Sequence, residues 1–219
     1  HGQLNNQGGL INAPLLVLNN LKGVNNQGGE ISSAQAFTLA AASLNNDSGK
    51  LLSNQALTLR IDQALSNIKG MIAAAAVDVR AGSLDNTTGT LSSRAGLELT
   101  VDGQLINQSL GLISATNGLT INSTGLNNQS GRLQGSAITL DLANDDLNNA
   151  AGHITTDGQL SINRLRDLNN QSGEVTSAQS LNLTARTLDN SNSGKLISNN
   201  QLALTADSLI NQSGGLLSG

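Results

Sequence analysis

The stretch Leu126-Asn127-Asn128-Gln129-Ser130-Gly131-Arg132-Leu133 decides the fold, because near copies of it recur along the whole chain. Leu4-Asn5-Asn6-Gln7-Gly8-Gly9, Val24-Asn25-Asn26-Gln27-Gly28-Gly29 and Leu168-Asn169-Asn170-Gln171-Ser172-Gly173 are the clearest. The glycine keeps time: Gly9, Gly29, Gly49, Gly70, Gly89, Gly111, Gly131, Gly152, Gly173, Gly194 and Gly215 follow one another at intervals of 19 to 22 residues. Self-similarity at a fixed period of this size is the signature of a solenoid.

The apolar residues keep the same period. Two residues after each of these glycines stands an aliphatic side chain: Ile11, Ile31, Leu51, Ile72, Leu91, Ile113, Leu133, Ile154, Val175, Leu196 and Leu217. About six residues later comes an alternating pair, such as Phe37/Leu39, Leu57/Leu59, Val77/Val79, Leu119/Ile121 and Leu181/Leu183. A spacing of two puts both side chains on one face of a strand. A further apolar site lies five residues before the glycine, as Leu4, Val24, Leu44, Leu65, Leu84, Ile106, Leu126, Leu147, Leu168 and Ile210. Two-helix repeats need about 33 residues or more and apolar spacings of three and four. Leucine-rich repeats have a similar period, but their single buried Asn does not match the adjacent Asn pair here. The pattern predicts an all-β chain folded as a parallel β-helix, one coil per repeat, with about eleven coils of 20–21 residues in a single domain over 1–219.

Asparagine needs its own account. Four residues before the glycine stand Asn5, Asn25, Asn45, Asn107, Asn127, Asn148, Asn169, Asn190 and Asn211, with Ser66 and Asp85 in the other two places. Stacked at one corner, these amides are expected to form a hydrogen-bonded ladder. The glycine that follows is expected to supply the positive φ of the turn. Irregularity is expected in the first coil, around Pro14 and Leu15-Leu16-Val17-Leu18, and over 65–125, which holds both the shortest and the longest interval. Ala73-Ala74-Ala75-Ala76 is too short to nucleate a helix and reads as a narrow coil. Residues 126–187 read as regular, and Ser191-Asn192-Ser193 as a bulged corner with one extra residue.

Composition narrows the function classes. Hydrophobic residues make up 37% of the 219 and charged residues 12%, enough for a core and too few charges for a disordered polyelectrolyte. There is no Cys, so disulfides and thiolate metal sites are excluded. The chain has no Trp or Tyr and a single Phe, so aliphatic side chains must fill the interior. No basic block offers a phosphate-binding surface, which speaks against nucleic acid as a partner. No apolar run approaches the roughly 18 residues of a spanning helix. Both ends fall inside the repeat pattern, so the chain reads as a piece of a longer array.

The unit L-N-N-x-x-G-x-[IL]-x-[ST]-x-x-x-L-x-L resembles the haemagglutinin-type repeat of the filamentous haemagglutinin family, from Leu4 to Gly219. That family comprises large exoproteins of Gram-negative bacteria exported by two-partner secretion, among them adhesins and the toxin-delivering proteins of contact-dependent growth inhibition. The resemblance implies a right-handed β-helix forming part of a cell-surface filament, an outer-membrane transporter as partner of the parent protein, and a host or bacterial surface receptor as a further partner. The Asn-Pro-Asn-Gly-Ile string of the family's secretion domains and the Val-Glu-Asn-Asn junction before many delivered toxins are absent.

No catalytic, cofactor-binding or metal-ligating set is assigned. His153 occupies the variable position after Gly152, where other repeats carry Lys50, Thr90, Arg132, Glu174 or Lys195, and no second His or Cys is in phase with it. Asp141, Asp145 and Asp146 form the one acidic cluster, which reads as a solvated turn rather than a calcium site. The Asn-x-Ser/Thr triplets at Asn46, Asn86, Asn107, Asn122, Asn128, Asn170, Asn182 and Asn211 read as by-products of the Asn-Gln-Ser corner. Three function classes are weighed: a filament shaft presenting adhesive or toxic modules, an adhesin whose irregular coils at 65–125 contact a receptor, and a polysaccharide-active enzyme. The last lacks the clustered acids and aromatic subsites that such chemistry uses.

Overall fold

The computed structural model describes residues 2–219 as strands and turns, with no helix among them. They form a right-handed parallel β-helix of about ten turns. At a strand spacing of about 4.8 Å, the rod is about 50 Å long.

Each coil contributes to two parallel sheets. A short strand follows each repeat glycine, as in Arg132–Gly135 and His153–Thr156, and eleven such strands form one sheet. The longer segments, such as Ala137–Asn148 and Leu160–Asn169, form a second sheet of fifteen strands. Equivalent residues stack one coil apart: Leu133 pairs with Ile154, Leu126 with Leu147, and Ile138 with Leu160. Period-two alternation therefore becomes vertical columns of side chains. Ile31, Leu51, Ile72, Leu91, Ile113, Leu133, Ile154, Val175 and Leu196 are all fully buried in one of them. At about 1.5–3 kcal/mol for each buried aliphatic, these columns offset the ordering of each coil.

The interior is wider than the repeat suggested. The alternating pair continues to a third inward residue, giving the column Ala41, Ile61, Ala81, Val101, Leu142, Leu165 and Ala185. Ser123 stands in this column beside Val101, buried, and its hydroxyl has no hydrogen-bond partner. Two inward sites differ from the expected ones. Leu105, not Ile106, is the inward residue before Gly111, since Leu105 stacks between Leu84 and Leu126. Likewise Leu209, not Ile210, stacks on Leu188. The extra residue of these coils lies in the turn itself, as expected at 191–193, so the inward site moves to six residues before the glycine.

The repeat glycine does not supply the positive φ. That conformation falls on the residue before it: Gly8, Gly28, Ser48, Lys69, Thr88, Ser130, Ala151 and Ser172, with φ between 53° and 63°. Where the turn is one residue longer, two consecutive residues take it, as Ser109 and Leu110 or Asn192 and Ser193. The glycine is required for a different reason. A Cβ on Gly131 would collide with the Asn107 carbonyl of the coil beneath and lie 2.7 Å from Asn128 Oδ1. The same collision recurs along the rod, for example at Gly29, Gly49, Gly152 and Gly173.

Residues 126–187 are not regular. Pairing of Ala137–Asn148 with Leu160–Asn169 shifts register between Asp141 and Asp145 and again between Asp145 and Leu147. Pairing of Leu160–Asn169 with Leu181–Asp189 is interrupted from Ser161 to Asp167. Within 65–125 one shift occurs, between Ala81 and Ser83. Turn-forming positive φ at Ala143, Asn144 and Arg164 marks the bulges. These residues interrupt the ladder while keeping the overall period, so interval counting passes over them. Ala73–Ala76 is strand and bend, as the narrow-coil reading expects.

Candidate functional site

The most continuous polar feature is the asparagine corner. Its ladder is built by the second residue of the Asn pair, not the first. Asn6, Asn26, Asn46, Asn67, Asn86, Asn107, Asn128, Asn149, Asn170, Asn190 and Asn211 are joined in sequence by Nδ2–H···Oδ1 bonds of 2.7–2.8 Å. Only Asn107, Asn190 and Asn211 lie four residues before their glycine, because their turns carry the extra residue. Each Nδ2 also reaches a carbonyl of its own turn, as Asn128 does to Gly131 at 3.4 Å. The nine internal members from Asn26 to Asn190 are fully buried.

The first residue of the pair has another task. Asn5, Asn25, Asn45, Asn127, Asn148 and Asn169 each accept the backbone N–H two residues on, at 2.9–3.2 Å. This Asx turn needs only an acceptor. Asp85 and Asp189 perform it equally, at 2.8 and 3.0 Å. The inner site needs a donor and an acceptor at once, which an amide has and a carboxylate lacks. Inner asparagine is accordingly invariant among these coils, while the outer place varies to Ser66, Asp85, Ile106, Asp189 and Ile210. That contrast was present in the sequence and would have identified the ladder.

The triplet asparagines divide by position. Asn46, Asn86, Asn107, Asn128 and Asn170 are buried ladder members, whereas Asn182 and Asn211 are exposed. His153 is exposed, in register between Arg132 and Glu174 on the short-strand sheet. Each member of the acidic cluster meets an arginine of the next coil. Arg164 Nε donates to Asp141 at 2.5 Å, and Arg166 Nη2 reaches Asp145 at 2.8 Å and Asp146 at 2.7 Å. Arg186 continues the series with a bidentate pair to Asp167. The hydrogen bond from Arg164 holds the Asp141 carboxyl below the usual carboxylate range, against the opposing effect of desolvation. Arg186 does the same for Asp167.

This charged series borders an open groove of about 680 Å³ along the interrupted ladder. Gln159, Asn163, Arg164, Asn182, Thr184 and Asn200 are among its lining residues. Its chemistry is that of neutral amides and hydroxyls; Arg164 is already paired. No three His, Asp or Glu side chains converge on a common point among the described residues.

The haemagglutinin repeat model matches five times in overlapping blocks, at residues 1–69, 64–109, 97–164, 136–189 and 166–219. The chain belongs to the haemagglutinin repeat family. The blocks cover it from end to end. No curated protein and no solved structure matches it. The family is structural and adhesive in character, and its proteins are secreted, cell-surface substrates of two-partner secretion in Gram-negative bacteria. Each matched block thus spans more than one β-helical coil, and each internal coil is closed by one buried asparagine. No helix among the described residues is long and apolar enough to cross a membrane.

Proposed function

We propose that this chain acts as one domain of the shaft of a secreted cell-surface filament, holding adhesive or toxin-delivery modules away from the cell. The observation that carries this reading is the unbroken amide ladder from Asn6 to Asn211 over a continuous aliphatic core. Every coil is bonded to the next by the same side chain, which suits a rod of constant cross-section and variable length. The parent's partner on this reading is its outer-membrane transporter. The reading assigns no enzymatic role to the segment.

A second reading makes the segment itself adhesive, and the groove beside Asn163 and Asn182 supports it. Binding of the labelled protein to panels of bacterial and epithelial cells separates the two, with a repeat-shuffled chain as control. The shaft reading expects binding no greater than the control. Saturable binding that the control lacks would replace it with the adhesive one.

A further inference from the structure

We infer that residues 163–167 form a built-in cleavage site for proteases of trypsin-like specificity. Hydrolysis by such enzymes requires a basic residue in a segment that can leave its hydrogen-bonded surroundings locally. Asn163-Arg164-Leu165-Arg166-Asp167 meets both conditions. Toward Leu181–Asp189, nothing between Ser161 and Asp167 is paired. Toward Ala137–Asn148, Leu165 is in register with Asp145 while Arg164 and Arg166 are skipped. Arg164 has a φ of 50°, and its side chain and that of Arg166 are about half exposed. The groove of about 680 Å³ opens directly on this stretch. What holds it is the isolated pairing of Leu165 with Asp145 and of Asn163 with Asp141, the Leu165 side chain in the core, and the exposed pairs to Asp141, Asp145 and Asp146, which contribute little in water.

The other basic residues are better secured. Lys50, Arg132 and Lys195 are paired to the coils on both sides, as are Arg60 and Arg80. The Lys22, Lys69 and Arg94 amides donate to Gly2, Thr87 and Ala74 carbonyls of adjacent coils, at 3.0–3.1 Å. Arg186 is itself skipped, but the flanking pairs toward the last long strand, Ala185 with Ala206 and Thr187 with Ser208, hold one unshifted register. Arg164 and Arg166 thus combine a basic side chain with interrupted pairing toward the coils on both sides, whereas Arg186 faces the shifted register on one side only. In the cut, water adds across the Arg164–Leu165 peptide bond, its hydroxyl going to the Arg164 carbonyl carbon and its remaining proton to the Leu165 nitrogen. The two products remain stacked, because each coil is bound chiefly to its neighbours rather than through the severed bond.

Limited digestion of the native chain with trypsin, followed by mass spectrometry of the first products, tests this. The expected first cut follows Arg164 or Arg166, giving two pieces that co-elute until denaturant separates them. The double variant R164Q/R166Q is expected to stay folded, with only a small fall in melting temperature from the lost surface pairs, and to lose that first cut. A first cut after Lys22, Lys69, Arg94 or any other basic residue would overturn the inference. So would an intact native chain at a protease level that digests the unfolded one.

Discussion

At the scale of the residue, the two asparagines of the repeat look interchangeable in sequence and are chemically distinct. Asn128 accepts from Asn107 and donates to Asn149, both at 2.8 Å, and its amide nitrogen also faces the Gly131 and His153 carbonyls. Asn128→Asp removes every donor and points a buried carboxylate at three oxygens. The expected cost is about 3–5 kcal/mol at neutral pH, with part regained in acid, where the carboxyl carries a proton to donate. Asn127→Asp keeps the Asx acceptor and is expected to stay within about 1 kcal/mol of the parent. Thermal melts of the two variants at neutral pH check the contrast, and equal losses would contradict the division of roles. Ser123 offers a change of opposite sign. Its hydroxyl is buried among Val101 and its neighbours without a partner, so Ser123→Ala is expected to stabilise by about 1 kcal/mol. A lower melting temperature would show that the hydroxyl is satisfied in solution.

At the scale of the element, ion pairs join coils both where strands stack in strict register, as Glu30–Lys50 and Glu174–Lys195 do, and where the register breaks. Across the gaps at 141–147 and 161–167, Asp141–Arg164, Asp145/Asp146–Arg166 and Asp167–Arg186 bridge the coils. The Asp141 and Asp167 carboxyls titrate below their ordinary range because of Arg164 and Arg186. A depressed folded-state value contributes stability that is fully present above the unfolded value of about 3.9 and is lost as pH falls through the folded one. The double variant D141N/D167N is therefore expected to show a flatter decline in melting temperature below about pH 4 than the parent. Superimposable declines would remove these pairs from the acid response. The same gaps show where sequence reading stops. Coil period, inward columns and the extra-residue turn at 191–193 were legible because glycine and aliphatics mark them. The bulges at Ala143, Asn144 and Arg164 were not, because a bulge redistributes residues within a strand and leaves the glycine interval at 21. The ladder was legible in kind and misplaced by one residue. Counting back from the glycine aligns the wrong Asn whenever the turn keeps its shorter form.

At the scale of the whole molecule, stability is a sum over neighbouring coils rather than a property of one closed core. Residues 126–146 make one full repeat, and Leu126 stacks on Leu147, its counterpart in the coil above. Deleting 126–146 brings Asn149 to the place of Asn128, above Asn107, so the amide chain can close over the missing coil. Likewise Leu160 and Ile162 come to rest on Leu119 and Ile121, the residues that Ile138 and Leu140 now cover. The shortened chain is expected to keep its β-sheet circular dichroism and its cooperative melt. Its rod should be shorter by about one strand spacing, about 4.8 Å. The Asp141 and Asp146 partners of Arg164 and Arg166 are lost with the coil, so any fall in melting temperature should shrink at high salt, where exposed pairs are already screened. Small-angle scattering reads the length and calorimetry the melt. Loss of the β signal altogether would mean that the coils depend on a global closure which nearest-neighbour stacking does not provide, and the rod could not then vary in length by adding or losing repeats.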